Sequence, residues 1–269
     1  AVNDSERAEP ANNRHPLPWE GGRGDDSSVS TGKGRVEGQA AYVLHTYPFR
    51  ETSLIVEAFS RDHGRIALVA RGARRPRSAM RGLLMAFQPI ELGWFGQGEM
   101  RTLAKVEWVG GQPLLQAQAL LLGYYMNELL LKLLPREDAH PALFQAYAEA
   151  VHALAIGEPS QASLRLFEKT LLKELGYGLT LDREADGGKP VNPQKRYAYV
   201  VERGPVLVGG DGREAESFSG RALLAIAQDD FSDAETLAQC KQLMRTLIQH
   251  YLGDQRLSSR RVFMELQEL

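Results

Sequence analysis

The sequence predicts a small β-barrel followed by a mainly α-helical domain, with α and β structure in separate regions. Three observations carry this reading. Residues 39–112 hold five short apolar, β-branched or aromatic runs separated by turn residues. From residue 113 onward the apolar residues fall at helical spacing instead. Charge divides at the same place: residues 39–112 carry 10 basic and 6 acidic side chains, a net of +4, whereas residues 113–269 carry 17 and 21, a net of −4. Such a split suggests that the middle segment meets a polyanion while the remainder has another task.

Composition narrows the alternatives. With 269 residues the chain is long enough for two domains. No apolar run approaches the roughly 18 residues of a membrane span. The single cysteine, Cys240, excludes an internal disulfide framework and any zinc site built on several thiolates, and it fits a reducing compartment. Residues 1–38 are rich in Gly, Ser, Asn, Pro and charge, with almost no aliphatic side chains. They are expected to form a disordered extension, and they lack the apolar core of a secretory signal. The expected location is therefore cytoplasmic.

The barrel runs from Ala40–Thr46, ended by Pro48, to Thr52–Phe59, and through a turn at Arg61-Asp-His-Gly64 into Gly64–Arg71. A short helix over Ala79–Ala86 precedes Pro89, and Ile90–Phe95 with Met100–Trp108 flank the hairpin signal Gly96-Gln-Gly98. Five strands with one helical insertion fit an OB-fold, with a small SH3-like barrel as the alternative. Helices are expected over Gln116–Leu134, Pro141–Ile156 and Ser160–Leu175, stopping at Pro135, near Gly157 and at Gly176. Residues 177–218 read as irregular, with a possible hairpin of Tyr197–Val201 and Val206–Val208. Helices over Gly220–Ala227 and Ala234–Leu252 and a short basic segment, 256–264, complete the domain.

Within the barrel, the third strand breaks at Gly72 into a loop carrying Arg71, Arg74, Arg75, Arg77 and Arg81, with Arg65 near the strand's start. No acidic residue occurs between Asp62 and Glu91. Guanidinium groups bind phosphate bidentately and stay charged at any working pH, so the run suits a nucleic-acid backbone; a solvated basic loop is the plainer alternative. Tyr47 and Phe49, flanking Pro48 in an expected loop, are the candidates for stacking on bases.

No catalytic constellation emerges, and no enzyme is expected. The six histidines lie far apart, without metal-ligand spacing. His63 is expected as a solvated turn residue. Asp229, Asp230, Asp233 and Glu235 could imitate a divalent-metal nuclease site, but their place before a helix suits capping of free N–H groups. Cys240 lies in phase with Leu237, Leu243, Met244, Leu247 and Tyr251 and reads as a core thiol. An RNA-binding barrel, for example a ribosome-associated factor, would use the same basic loop.

Several separate stretches resemble one family. Tyr42-Val-Leu-His-Thr-Tyr-Pro-Phe-Arg-Glu-Thr-Ser53, His63-Gly-Arg65, Ala70-Arg-Gly-Ala-Arg74 and Phe87-Gln-Pro89 are similar to the amino-terminal domain of RecO, the bacterial recombination mediator. Tyr124-Tyr-Met-Asn-Glu-Leu-Leu130 and Leu175-Gly-Tyr-Gly178 are similar to its helical domain. The resemblance spans about residues 39–265. It implies an OB-fold over 39–112 and a helical domain over 113–269 with an insert at 177–218. It also implies binding of single- and double-stranded DNA, annealing of strands, nucleoid association, and work with RecR to load RecA on strands coated by single-stranded-DNA-binding protein (SSB). It assigns the basic loop to DNA, and Arg165, Phe167 and Lys169 to docking of the acidic SSB tail. Many members carry a four-cysteine zinc module after the Gly-Tyr-Gly stretch; this chain has no cysteine between residues 178 and 239, so that segment must be ordered in another way. No cofactor or metal is expected.

Overall fold

Strand β1 (Arg35–Phe49) is 15 residues long and serves two neighbours in the barrel. Its first part, to Ala41, pairs antiparallel with β4 (Ile90–Phe95), and Ala41–Phe49 pairs antiparallel with β2 (Ser53–Ser60). Irregularities at Val36/Gln39 and Val43/His45 bend the strand between these partners, as bulges do where a sheet curves shut. Strand β3 (Gly64–Ala70) pairs with β2 and, in parallel, with β5 (Met100–Trp108), which closes the barrel in the order β1-β2-β3-β5-β4. This OB-like topology, with helix α1 (Met80–Leu83) inserted between β3 and β4, settles the choice against the SH3-like alternative. The computed structural model describes residues 34–157, 160–209, 216–259 and 261–262. Most of the expected extension, residues 1–33, lies outside them, as do residues 260 and 263–264 of the basic segment. Arg35–Gly38, expected as extension, belong to β1.

The unbroken apolar run Ala40–Leu44 within β1 has a structural cause. Residues 39–44 are buried on both faces of β1. Ala41 and Val43 point into the barrel with Val56, Ile66, Leu68, Ile90, Leu92 and Trp94. Tyr42 and Leu44 point outward, with Phe59, into a core shared with the helices. Those helices are α2 (Ala117–Leu133), α3 (Pro141–Ile156), α4 (Ser160–Glu174), α5 (Gly220–Ala227) and α6 (Ala234–Leu252). Tyr42 lies edge-on to Tyr147 at 5.1 Å, and Phe59 lies edge-on to Phe144 at 5.4 Å. The barrel and the helical region therefore share apolar burial.

Polar contacts fix the same junction. At the Val43/His45 irregularity Leu44 has no ladder partner, and buried Asn127 donates to its carbonyl at 2.9 Å. Tyr147 Oη donates to Asn127 Oδ1 at 2.6 Å, so the amide is held from both ends. Glu57, almost fully buried, pairs with Arg65 (3.4 Å) and with Arg136. The β2–β3 turn passes so close to the α2–α3 loop that a Cβ on Gly64 would lie 1.9 Å from the Asp138 carbonyl oxygen.

The described residues of the 177–218 segment are more regular than the sequence suggests. Strands β6 (Arg196–Val200), β7 (Gly204–Leu207) and β8 (Phe218–Ser219) form a sheet in the order β7-β6-β8. Fully buried Tyr197 anchors it, accepting from the Asn192 N–H at 2.8 Å and donating to Glu184 at 3.0 Å. Gly176, with φ +84°, ends α4, and Tyr177 stacks on Tyr251 at 3.6 Å.

Candidate nucleic-acid interface

The β3–α1 loop is wound tightly rather than spread into solvent. Gly72 adopts φ +71°, and successive turns follow through Arg75 N–H to Gly72 O (3.0 Å) and Ser78 N–H to Arg75 O (3.0 Å). Ala73 is fully buried and plugs the barrel interior. The Arg74 N–H donates to Thr52 O at 2.9 Å, and its Nη1 reaches the carbonyls of Arg50 and Glu51 at 3.3 and 3.4 Å. Arg74 thus fastens the loop to the β1–β2 turn.

Between these two loops and the start of β5 lies a cleft of about 840 Å³, walled by Phe49, Arg50, Glu51, Arg71, Arg75 and Thr102 among others. Arg71, Arg75, Arg77 and Arg81 are all exposed, and among the described residues none forms an ion pair. A cluster of like charges on a fixed loop carries unscreened positive potential and is prepared for an anion without reorganisation. One carboxylate does approach, because folding brings Glu51 to the cleft although it lies outside the acid-free stretch of sequence.

The structure sorts the other expected residues. Tyr47 and Phe49 lie in β1 rather than in a loop, two positions apart and so on one face. Tyr47 is 45% exposed, and Phe49 is half-buried at the cleft with the Arg50 guanidinium 5.1 Å from its ring centre. Arg50 was not singled out from sequence; its signal was adjacency to Phe49 in the turn. Arg65 is not part of the cluster. Its Nε donates to Leu134 O at 2.9 Å and its Nη1 meets Glu57, so it secures the barrel to the C-terminus of α2. His63 is half-buried rather than solvated, edge-on to Trp94 at 5.2 Å, and burial holds its pKa below the ordinary value.

The expected tail-docking set also separates. Phe167 is fully buried beneath α4 and offers no surface. Lys169 donates to the Ile226 and Ala227 carbonyls (2.6 and 3.1 Å) and pairs with Asp229, capping the end of α5. Arg165 alone borders a second cleft, of about 390 Å³, between α2, α4 and α6, with Leu121, Leu164, Leu237 and Ile248 as its apolar lining. Lys241 and Arg245, one turn apart on α6, stand at the same opening. Beneath it Glu168 is fully buried, 2.7 Å from Arg165 and accepting from Tyr125 Oη at 2.6 Å; burial raises its pKa despite these two partners.

The carboxylates at 229–235 are dispersed among helix ends. Asp229 meets Lys169, Asp230 accepts from Ser232, and Asp233 caps α6 through the Thr236 N–H at 2.9 Å. Among the described residues no cluster of metal-binding groups occurs, and no helix is long and apolar enough to cross a membrane. Cys240 is fully buried, which pushes its thiol up to about 12.

Comparison with known proteins agrees with this architecture. The family model described as "Recombination protein O N terminal" matches residues 36–112, and "Recombination protein O C terminal" matches residues 115–261. The chain is 60% identical over 237 residues to the DNA repair protein RecO of Aromatoleum aromaticum, covering 88% of this chain and 99% of that protein. It is 58% identical over 240 residues to the DNA repair protein RecO of Azoarcus sp., with the same coverage. Against the DNA repair protein RecO of Dechloromonas aromatica the identity is 55% over 240 residues, again 88% of this chain and 99% of the other.

Proposed function

The chain belongs to the RecO family of DNA repair proteins, and on that premise we propose that it is a recombination mediator that binds DNA by its backbone and performs no covalent chemistry. The arginine cleft of the barrel takes single and double strands, anneals complementary strands and, with RecR, helps load RecA onto SSB-coated DNA. The observation that carries this reading is the fixed loop presenting Arg71, Arg75, Arg77 and Arg81 without ion-pair partners among the described residues. Arginines bound to phosphates release condensed counterions, which gives sequence-independent affinity. They also lower the repulsion between two strands held together, which is what annealing requires.

The α2–α4–α6 cleft supports the partner side of the reading. An apolar lining beside Arg165, Lys241 and Arg245 suits an acidic peptide with apolar residues, such as the SSB tail. The test is annealing by a chain with Arg71, Arg75 and Arg77 changed to alanine. We expect annealing at moderate salt to be abolished while the melting temperature stays within a few degrees; undiminished annealing by the folded variant would remove the loop from the mechanism. Comparing affinities for DNA and RNA strands of one sequence separates this reading from an RNA-binding barrel.

A further inference from the structure

We propose that the α2–α4–α6 cleft has an occupant within this chain: residues 263–269, Phe-Met-Glu-Leu-Gln-Glu-Leu. This segment would compete with any acidic peptide that the cleft receives.

The chain is delivered to the cleft by a specific anchor. After α6 it turns back across α2, where the Glu128 carboxylate accepts from Ser258 N–H (2.8 Å), Ser259 N–H (2.9 Å) and Ser259 Oγ (2.6 Å). Lys132, one turn along α2, pairs with Glu128 and donates to the Arg256 carbonyl. Leu257 and Ser259 already line the cleft. Ser258, Ser259, Arg261 and Val262 are helical, so from Ser259 the chain advances about 1.5 Å per residue to Val262 and up to about 3.3 Å per residue from there to Leu266, about 18 Å in all. That exceeds the roughly 15 Å along α2 from Glu128 to Gln118, at the far end of the cleft.

The chemistry matches as well as the reach. Four of the seven residues, Phe263, Met264, Leu266 and Leu269, are apolar and suit the leucine and isoleucine lining. The two charged ones, Glu265 and Glu268, are acidic, and the segment has no cation. Exposed Lys241 and Arg245 line the cleft and offer them positive partners, whereas buried Arg165 is already paired with Glu168. Residues 1–33, the other long stretch outside the described residues, have few aliphatic side chains and enter the fold at the barrel. A short tether keeps the segment at high effective concentration, so a modest intrinsic affinity is enough to fill the cleft.

Cross-linking in the full chain tests this directly. Cysteines are placed at Gln118→Cys and Leu266→Cys; native Cys240 is buried and does not compete in the folded protein. The control pairs Leu266→Cys with Lys105→Cys on the exposed outer face of the barrel. We expect an intrachain disulfide under mild oxidation, forming at least about tenfold faster than in the control because docking in the cleft holds these two thiols close together. Adding Glu265→Lys and Glu268→Lys should slow it, and so should excess synthetic peptide of residues 263–269. A rate equal to the control, or a disulfide formed only between copies, would overturn the proposal. Binding of an SSB-tail peptide to the same full chain is read separately, so failure of the cross-link leaves the partner reading standing.

Discussion

Arg74 and Arg75 are neighbours in sequence with different roles. Arg74 spends its backbone and side-chain donors on the carbonyls of residues 50–52, so its removal loosens the β1–β2 turn as well as subtracting a charge. Arg75 has no ion-pair partner among the described residues and can meet a phosphate. Basic composition revealed the cluster, but sequence could not show which guanidiniums were already committed, because Arg65 and Arg74 find their partners on distant segments. For the same reason Phe167 and Lys169 could not be separated from Arg165, since burial and the Asp229 contact depend on how α5 and α6 pack. At the cleft, Phe49→Ala should weaken single-strand affinity about tenfold, the scale of one lost stacking contact, without changing the salt slope. Equal affinities in a titration of the two proteins would exclude stacking there. Glu168 makes a pH-dependent prediction. Burial raises its pKa in the folded state, so the folded protein keeps a proton that the unfolded chain releases. Stability is then lost as pH rises from the ordinary carboxyl value through the raised one. Glu168→Gln should therefore gain in melting temperature relative to the parent protein as pH climbs from 4.5 to 8, and parallel curves would contradict the assignment.

At the scale of elements, most strand and helix bounds were legible because turns and periodicity announce them. Strands β4 and β5 and helices α3, α5 and α6 fall on the expected residues. The misses have physical reasons. The start of β1 was hidden because Arg35 and Glu37 form an exposed ion pair at the barrel's edge and carry no apolar signal. The sheet of β6, β7 and β8 was only half visible because β8 is two residues long and its pairing is non-local. The β2–β3 turn supplies a sharp test of the junction. Gly64 has φ +64° and no room for a side chain against the Asp138 backbone. Gly64→Ala should cost at least about 2 kcal/mol, combining left-handed strain with a forced shift of the α2–α3 loop. Denaturant melts would read this as a lower midpoint; an unchanged midpoint would mean that barrel and helices are not seated against each other there.

Across the whole molecule, a net charge of −2 conceals a barrel segment of +4, and the shared core keeps that segment on a rigid support. Tyr42, Phe59, Asn127 and Glu57 tie the barrel to the helices, so the arginine cleft and the α2–α4–α6 cleft belong to one body with separate chemistries. Binding of a polynucleotide at one and of an acidic peptide at the other can therefore coexist, and neither requires bond chemistry. The most direct test is the affinity for a single-stranded oligonucleotide measured over a salt series. If Arg50, Arg71, Arg75, Arg77 and Arg81 each neutralise one phosphate, log K should fall against log salt with a slope of about −3.5, and the Arg71/Arg75/Arg77 alanine variant should lose about 2 of that. A parent slope near zero, or a variant with the parent's slope and affinity, would contradict the account.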